Sequence, residues 1–295
     1  MTITLFDLVY RTLRELGEAY EGTATGGSTT TLIDTSFLAQ ADDWWGGTGE
    51  NMGTAMVLYD AAGAGAAPQG EFARVTDFVQ STKTATITAL TAAIAAGDRY
   101  AIANGRYPLA QVIQAINGAL QKLGELTTSD TSLTTASNQS EYTLPAANMR
   151  LRRVWLQQNT SDADDNQWHE LRDWYLAPTT TGAADTLILG EQVALRSLRL
   201  EYTGPHPALY TAAGKLSEDV PPTLVVYQAA LDLILMDIQR QAKADPRLET
   251  RAGILREGLR NAESLYSIQK PRRKARPFFA GTLASGDDFK AIPTP

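Results

Sequence analysis

Cysteine is absent from this chain, and histidine occurs only twice, at His169 and His206. Without cysteine there can be no disulfide framework, no thiolate-bound zinc or cluster and no thiol redox chemistry, so stability has to come from packing and association. Long apolar runs are missing too. The most apolar stretch, Leu224 to Ile238, is broken by Gln228 and Asp232 and falls short of the roughly 20 residues that a membrane-spanning helix needs. The first twenty residues carry Asp7, Arg11, Arg14 and Glu15 inside their apolar pattern, which the core of a secretory leader does not tolerate. The expectation is a protein that acts without secretion and without a membrane.

What is present is ordinary globular material. With 295 residues, 43% of them hydrophobic and 20% charged, the chain can bury a core and form two or three packed units. The net charge of -7 is unevenly placed: Lys270, Arg272, Arg273, Lys274 and Arg276 crowd into KPRRKAR, leaving the remaining body more acidic than the total suggests. Such a run suits an arm that docks on a protein surface, a nucleic-acid contact or a solvated tail.

Apolar periodicity places four helices. Leu5, Leu8, Val9, Leu13, Leu16 and Tyr20 recur at three- and four-residue steps over residues 4 to 20. Pro108 opens a second helix in which Val112, Ile113, Ile116, Leu120 and Leu123 keep the period to Gly124. Pro221 and Pro222 start a third, with Leu224, Tyr227, Leu231, Ile234, Leu235 and Ile238 on one side. Asp245 followed by Pro246 caps a fourth, striped by Leu248, Ala252, Leu255, Leu259, Ala262 and Leu265. Between them lie two Gly/Thr/Ala-rich stretches with β patterning. The expected strands of the first are Met56 to Tyr59, Phe72 to Phe78, Lys83 to Leu90 and Arg99 to Ala103; those of the second are Leu151 to Leu156, Thr186 to Leu189 and Leu198 to Tyr202. In the last, Leu198, Leu200 and Tyr202 alternate with Arg199 and Glu201 as a half-buried strand should.

These elements predict an α+β fold: a small helical bundle core with two antiparallel β insertions and an extended C-terminal arm. The core is discontinuous, comprising 1–21, 104–127 and 217–268; the insertions are 22–103 and 128–216, and the arm is 269–295. Only the helical segments have continuous apolar stripes, and each stripe has to be covered by another.

The candidate catalytic groups have plainer explanations. Asp42 and Asp43 beside Trp44 and Trp45 could be a carboxylate pair next to a sugar-stacking platform. Adjacent strand residues point to opposite faces, however, and DDWWGG has the glycines of a turn, so a subunit or tail contact or local packing competes. Asp162, Asp164, Asn166, Glu170 and Asp173 are spaced somewhat like a calcium loop, but Gln167 stands where glycine is needed. His169 follows Trp168, and His206 sits in the Pro-locked GPHP; neither has the partners of a catalytic triad. GTATGG lacks the lysine of a phosphate-binding loop. Neither a catalytic residue, a metal site nor a cofactor is expected, and the protein is not expected to be an enzyme.

The order helix, β insertion, helix, β insertion, helical hairpin, arm resembles the head-to-tail connector or neck adaptor proteins of tailed bacteriophages. The likeness is carried by DDWWGGTGE from Asp42, GEFARVTDF from Gly70, GDRYAIANG from Gly97, and VPPTLVVYQAALDLILM from Val220 with the following DPRLETRAGIL and Pro-flanked basic run. It covers about two thirds of the chain, by pattern rather than by an invariant signature. The resemblance implies a structural virion protein: a homo-oligomeric ring, usually a dodecamer, that joins the portal to the next neck or tail protein and lines the DNA exit channel. It implies assembly in the host cytoplasm, non-specific passage of DNA, and portal docking through Arg272, Arg273, Lys274, Arg276, Phe278 and Phe279. Trp44, Trp45 and Trp168 become candidate subunit or tail contacts. The alternative is a baseplate or tail-associated carbohydrate-binding virion protein that recognises its ligand through Trp44 and Trp45.

Overall fold

The structure is a computed structural model that describes residues 2–36, 40–46, 52–145, 150–158, 168–177, 185–190, 195–217, 220–240 and 245–265. Its first helix, α1 (Leu5–Glu15), starts where Thr4 and Asp7 form a reciprocal capping box: Asp7 Oδ2 accepts the Thr4 backbone N–H at 2.9 Å and Thr4 Oγ1 accepts that of Asp7 at 3.4 Å. It ends at Gly17, whose φ of 65° is a left-handed stop that a side chain would resist. Helix α2 is Leu109–Lys122, α3 is Pro222–Arg240 and α4 is Pro246–Leu265. Asp245 Oδ1 accepts the Arg247 backbone N–H at 2.9 Å and caps α4 as its position before Pro246 predicts. The α3/α4 hairpin closes tightly because Gly258 leaves room for the Tyr227 ring, which a Cβ there would meet at 3.1 Å.

Between α1 and α2 the chain makes seven antiparallel strands: β1 (Tyr20–Thr23), β2 (Gly26–Gly27), β3 (Thr31–Ile33), β4 (Thr54–Tyr59), β5 (Phe72–Val79), β6 (Thr84–Ile87) and β7 (Arg99–Ala103). They are ordered β1-β7-β4-β5-β6-β3-β2. The two edges, β1 and β2, are successive parts of one stretch, residues 20–27. The sheet therefore curls round on itself as a small barrel, with the Ala24 N–H bonding Asp98 on one side and the Thr25 N–H bonding Ile33 on the other. Ala55, Val57, Val75, Phe78, Ala85, Tyr100 and Ile102 fill it.

Strands β4 and β7 are buried on both faces. Ala55, Val57, Tyr100 and Ile102 point into the barrel, while Met56, Ala101 and Ala103 point into the helical layer with Leu8, Val112, Ile116 and Val225. That double burial explains why TAMVLY and RYAIA read as nearly unbroken apolar runs.

Between α2 and α3 lies a β-sandwich. Its strands are β8 (Leu126–Asp130), β9 (Glu141–Thr143), β10 (Arg150–Gln157), β11 (Trp168–Leu171), β12 (Trp174–Ala177), β13 (Thr186–Leu189) and β14 (Leu198–Gly204). One sheet has the order β11-β10-β14-β8 and the other β12-β13-β9, all antiparallel. Val154, Leu198 and Leu200 of the first sheet pack with Tyr142, Leu187 and Leu189 of the second.

The expected helical-bundle core with two β insertions is overturned. Among the described residues the molecule is mostly β, with three apolar clusters: one in the helical layer, one inside the barrel and one inside the sandwich. The helical cluster is not self-contained, since barrel strands supply part of it. A helix displays its whole apolar stripe in one segment of sequence. The barrel and sandwich cores are assembled from one to three residues per strand, so their extent emerges only once the strands pair.

Candidate functional site

The 40–46 turn separates the two adjacent tryptophans. Asp42 Oδ1 accepts the Gln80 N–H at 2.6 Å, the Asp43 N–H bonds the Phe78 carbonyl at 3.0 Å, and Asp43 itself adopts φ 60°. Both aspartates thus anchor a turn to the end of β5. The consequence is that Trp44 is 51% exposed whereas Trp45 is 0% exposed and lies in the barrel core, its ring edge-on to Tyr20 at 4.9 Å. A two-tryptophan sugar platform does not form, because the turn sends the neighbouring rings in opposite directions. Trp168 is half-buried at the start of β11.

Among the described residues, no three His, Asp or Glu side chains come together to hold a metal ion. Glu170 and Asp173 lie on β11 and the corner after it, and Asp162, Asp164 and Asn166 lie outside the described residues. His206 is buried and structural: its Nε2 accepts the Ser217 N–H at 3.0 Å, which leaves Nδ1 to donate to the Pro207 carbonyl at 2.6 Å. The portal-docking candidates Arg272, Arg273, Lys274, Arg276, Phe278 and Phe279 also lie outside the described residues.

Large apolar side chains are instead exposed singly, on separate elements. Tyr175 of β12 is 59% exposed, Leu195 74% and Tyr210 76%. Leu195 is the most telling of these. Its φ of 54° is left-handed, a conformation that a bulky residue keeps only when its surroundings hold it there. Thr135, itself buried, supplies that restraint. Its carbonyl accepts the Leu195 N–H at 2.9 Å, its Oγ1 accepts the Arg196 N–H at 3.0 Å, and its own N–H bonds the Arg196 carbonyl at 2.8 Å. These exposed residues carry no sequence signal, since Tyr175 stands between half-buried Trp174 and Leu176 and Tyr210 follows buried Leu209, so the run does not mark which side chain turns out.

A second concentration of charge sits on β10. The strand reads RLRRVW, and a bulge between Leu151 and Arg153 changes the alternation, so that Leu151 still pairs with Tyr202 while Arg153 pairs with Glu201. Arg150, Arg152 and Arg153 are each matched locally: Arg150 and Arg152 by Glu125, and Arg153 by Glu170 at 3.8 Å. Glu125, Arg150, Leu151, Arg152 and Thr203 line an open cavity of about 400 Å³.

The helical layer is tied to the barrel by a third polar group. Arg106, in the turn from β7 to α2, bonds Asp237 Oδ2 of α3 through Nε at 2.9 Å and Nη2 at 2.7 Å, and the Tyr107 hydroxyl donates to the same oxygen at 3.1 Å. Burial, followed by the nearby Asp237 carboxylate, pushes the Tyr107 phenol well above its usual range. Arg251 of α4 donates to the Glu15 carbonyl at the end of α1 at 2.8 Å. Glu18 lies in this seam, 3.5 Å from Arg106, and desolvation raises its carboxyl above the usual value despite the two arginines.

No known protein family matches this chain, and no curated protein is significantly similar to it.

Proposed function

We propose that this protein is a non-enzymatic structural component of a tailed-phage virion: an oligomeric adaptor ring that joins the portal to the next neck or tail protein and surrounds the path of the exiting DNA. The observation that carries this reading is Leu195, an apolar side chain 74% exposed at a left-handed φ of 54° and fixed there by Thr135, an outlier that suits a contact residue. Trp44, Tyr175, Tyr210 and Ile254 are further exposed apolar side chains on separate elements, available to neighbours although single exposed residues are common on any surface. The basic arm, with Arg272, Arg273, Lys274, Arg276, Phe278 and Phe279, would grip the portal.

The test is attachment to purified portal rings together with the mass of the free oligomer. A portal-bound ring, twelve-fold as for most connectors of this kind, is the expected result. A three- or six-fold oligomer that ignores portal rings and binds polysaccharide would instead favour the carbohydrate-binding tail protein.

A further inference from the structure

The sandwich has two opposite flanks made of strand edges. On one, β11 and β12 are joined by only Arg172 and Asp173, so two edges that are unpaired among the described residues lie side by side. Beyond their ladders with β10 and β13, the backbone groups of these two strands make no hydrogen bond among the described residues. Neither strand contains a lysine, a proline or a register shift; each is only four residues long and β11 carries Glu170, so the edge is short rather than blocked. Trp168, Leu171, Trp174, Tyr175 and Leu176 make the flank rich in residues that favour strands or apolar contact. The opposite flank is β8 and β9, and β8 likewise pairs only with β14.

We propose that the β11/β12 flank docks on the β8/β9 flank of a second copy of this chain, extending the four-stranded sheet from subunit to subunit. The inference rests on the ring reading above and names its subunit interface. Strand parity favours it. In an antiparallel sheet of four strands the two edges, β11 and β8, run in opposite directions, so a copy carried round a ring axis presents β11 antiparallel to its neighbour's β8. The contact is head to tail, the kind that closes into rings. The three-stranded sheet has the wrong parity for an antiparallel ladder and contributes side chains instead.

Charge points to the same occupant. Among the described residues Arg172 makes no ion pair, and it shares its flank with exposed His169. Asp130 and Glu141, on the far flank, also make no ion pair among the described residues. Asp173, the other residue of the β11/β12 link, also makes no ion pair among the described residues, but its carboxyl lies against Gly190 at the end of β13. Among the described residues Asp130 accepts only the Ser132 N–H and hydroxyl, at 2.8 and 2.6 Å, so Arg172 on one flank faces two carboxylates without a cation on the other.

A charge swap in the full chain tests this. One variant carries Arg172→Glu and Tyr175→Glu, and the other carries Asp130→Lys and Glu141→Lys. Each alone should place like charges across the contact and weaken self-association at least tenfold by sedimentation, with an unfolding temperature near that of the wild type. An equimolar mixture should reassemble, since the altered flanks now complement each other in alternation. Because the chain has no native cysteine, the double variant Tyr175→Cys/Glu141→Cys gives an independent readout: a flexible bis-maleimide should produce a ladder of cross-linked oligomers, as the two positions lie on opposite flanks of one subunit. Wild-type assembly by either charge variant, no recovery in the mixture together with no cross-linked ladder, or a monomeric wild type would overturn the proposal. Recovery and cross-linking without portal attachment would leave the interface standing and remove the adaptor role. Portal attachment by charge variants that still assemble normally would do the reverse.

Discussion

Trp44 and Trp45 are identical residues one peptide bond apart, and their expected mutational effects are opposite in kind. Trp45 fills the barrel, so Trp45→Ala should cost about 3–5 kcal/mol in urea unfolding through lost burial and the cavity left behind. Trp44→Ala should change stability by no more than about 0.5 kcal/mol, and if it is a contact residue it should weaken assembly or tail attachment. Equal destabilisation by both would remove the distinction. Glu18 gives a pH signature. Burial raises its carboxyl pKa above the ordinary value, so the folded chain holds that proton more tightly than the unfolded one. Its contribution to stability is thus present at acid pH and lost as pH rises through the interval between the ordinary and raised values. Glu18→Gln should flatten that part of the stability-versus-pH curve, and an unchanged slope would show that Glu18 is not the group responsible.

At the scale of elements, α4 contains two glycines in different surroundings. Gly253 faces open space, so Gly253→Ala should stabilise the helix by about 0.5–1 kcal/mol by reducing backbone freedom in the unfolded chain. Gly258 faces the Tyr227 ring of α3, so Gly258→Leu should force the hairpin apart at a cost of about 1–3 kcal/mol. Thermal unfolding of the two variants should shift in opposite directions; a shift of the same sign would mean that α3 and α4 are not held as closely as described. The helices themselves are legible in sequence because capping and periodicity are local. Thr4 with Asp7 starts α1, Pro108 stands as the N-cap of α2, and Asp245 caps α4. Strands β7 and β13 match their expected spans, Arg99–Ala103 and Thr186–Leu189, while the expected strand at Lys83 to Leu90 shortens to Thr84–Ile87. Beyond Ile87 the Thr88 and Leu90 N–H groups still bond the Arg74 and Thr29 carbonyls, each at 2.9 Å, but as single bonds to two different segments rather than as a ladder. The β10 bulge is not legible at all, since RLRR alternates no differently with or without an extra residue opposite β14.

For the whole molecule, the arm yields the simplest experiment. Removing residues 270–295 should leave a cooperatively folding protein, because the three apolar clusters are built from residues before 266, while portal attachment is lost. Attachment by the intact chain should weaken as salt rises, since its basic cluster would be screened; attachment by the truncated chain at full strength would reassign the docking face. The sequence by itself determined the local features: four helices and where they begin, two β regions between them, no thiol chemistry, and a basic run near one end. Each follows from residues close together in the chain. Only the tertiary structure decided that one stretch, 20–27, supplies both edges of a barrel, that β4 and β7 serve two cores at once, and that Trp45 is buried while Trp44 is not. Those outcomes depend on pairing between residues tens of positions apart, such as Tyr20 with Ile102 and Leu32 with Ala85. Their free energy exists only after the chain has closed, so no local pattern encodes it.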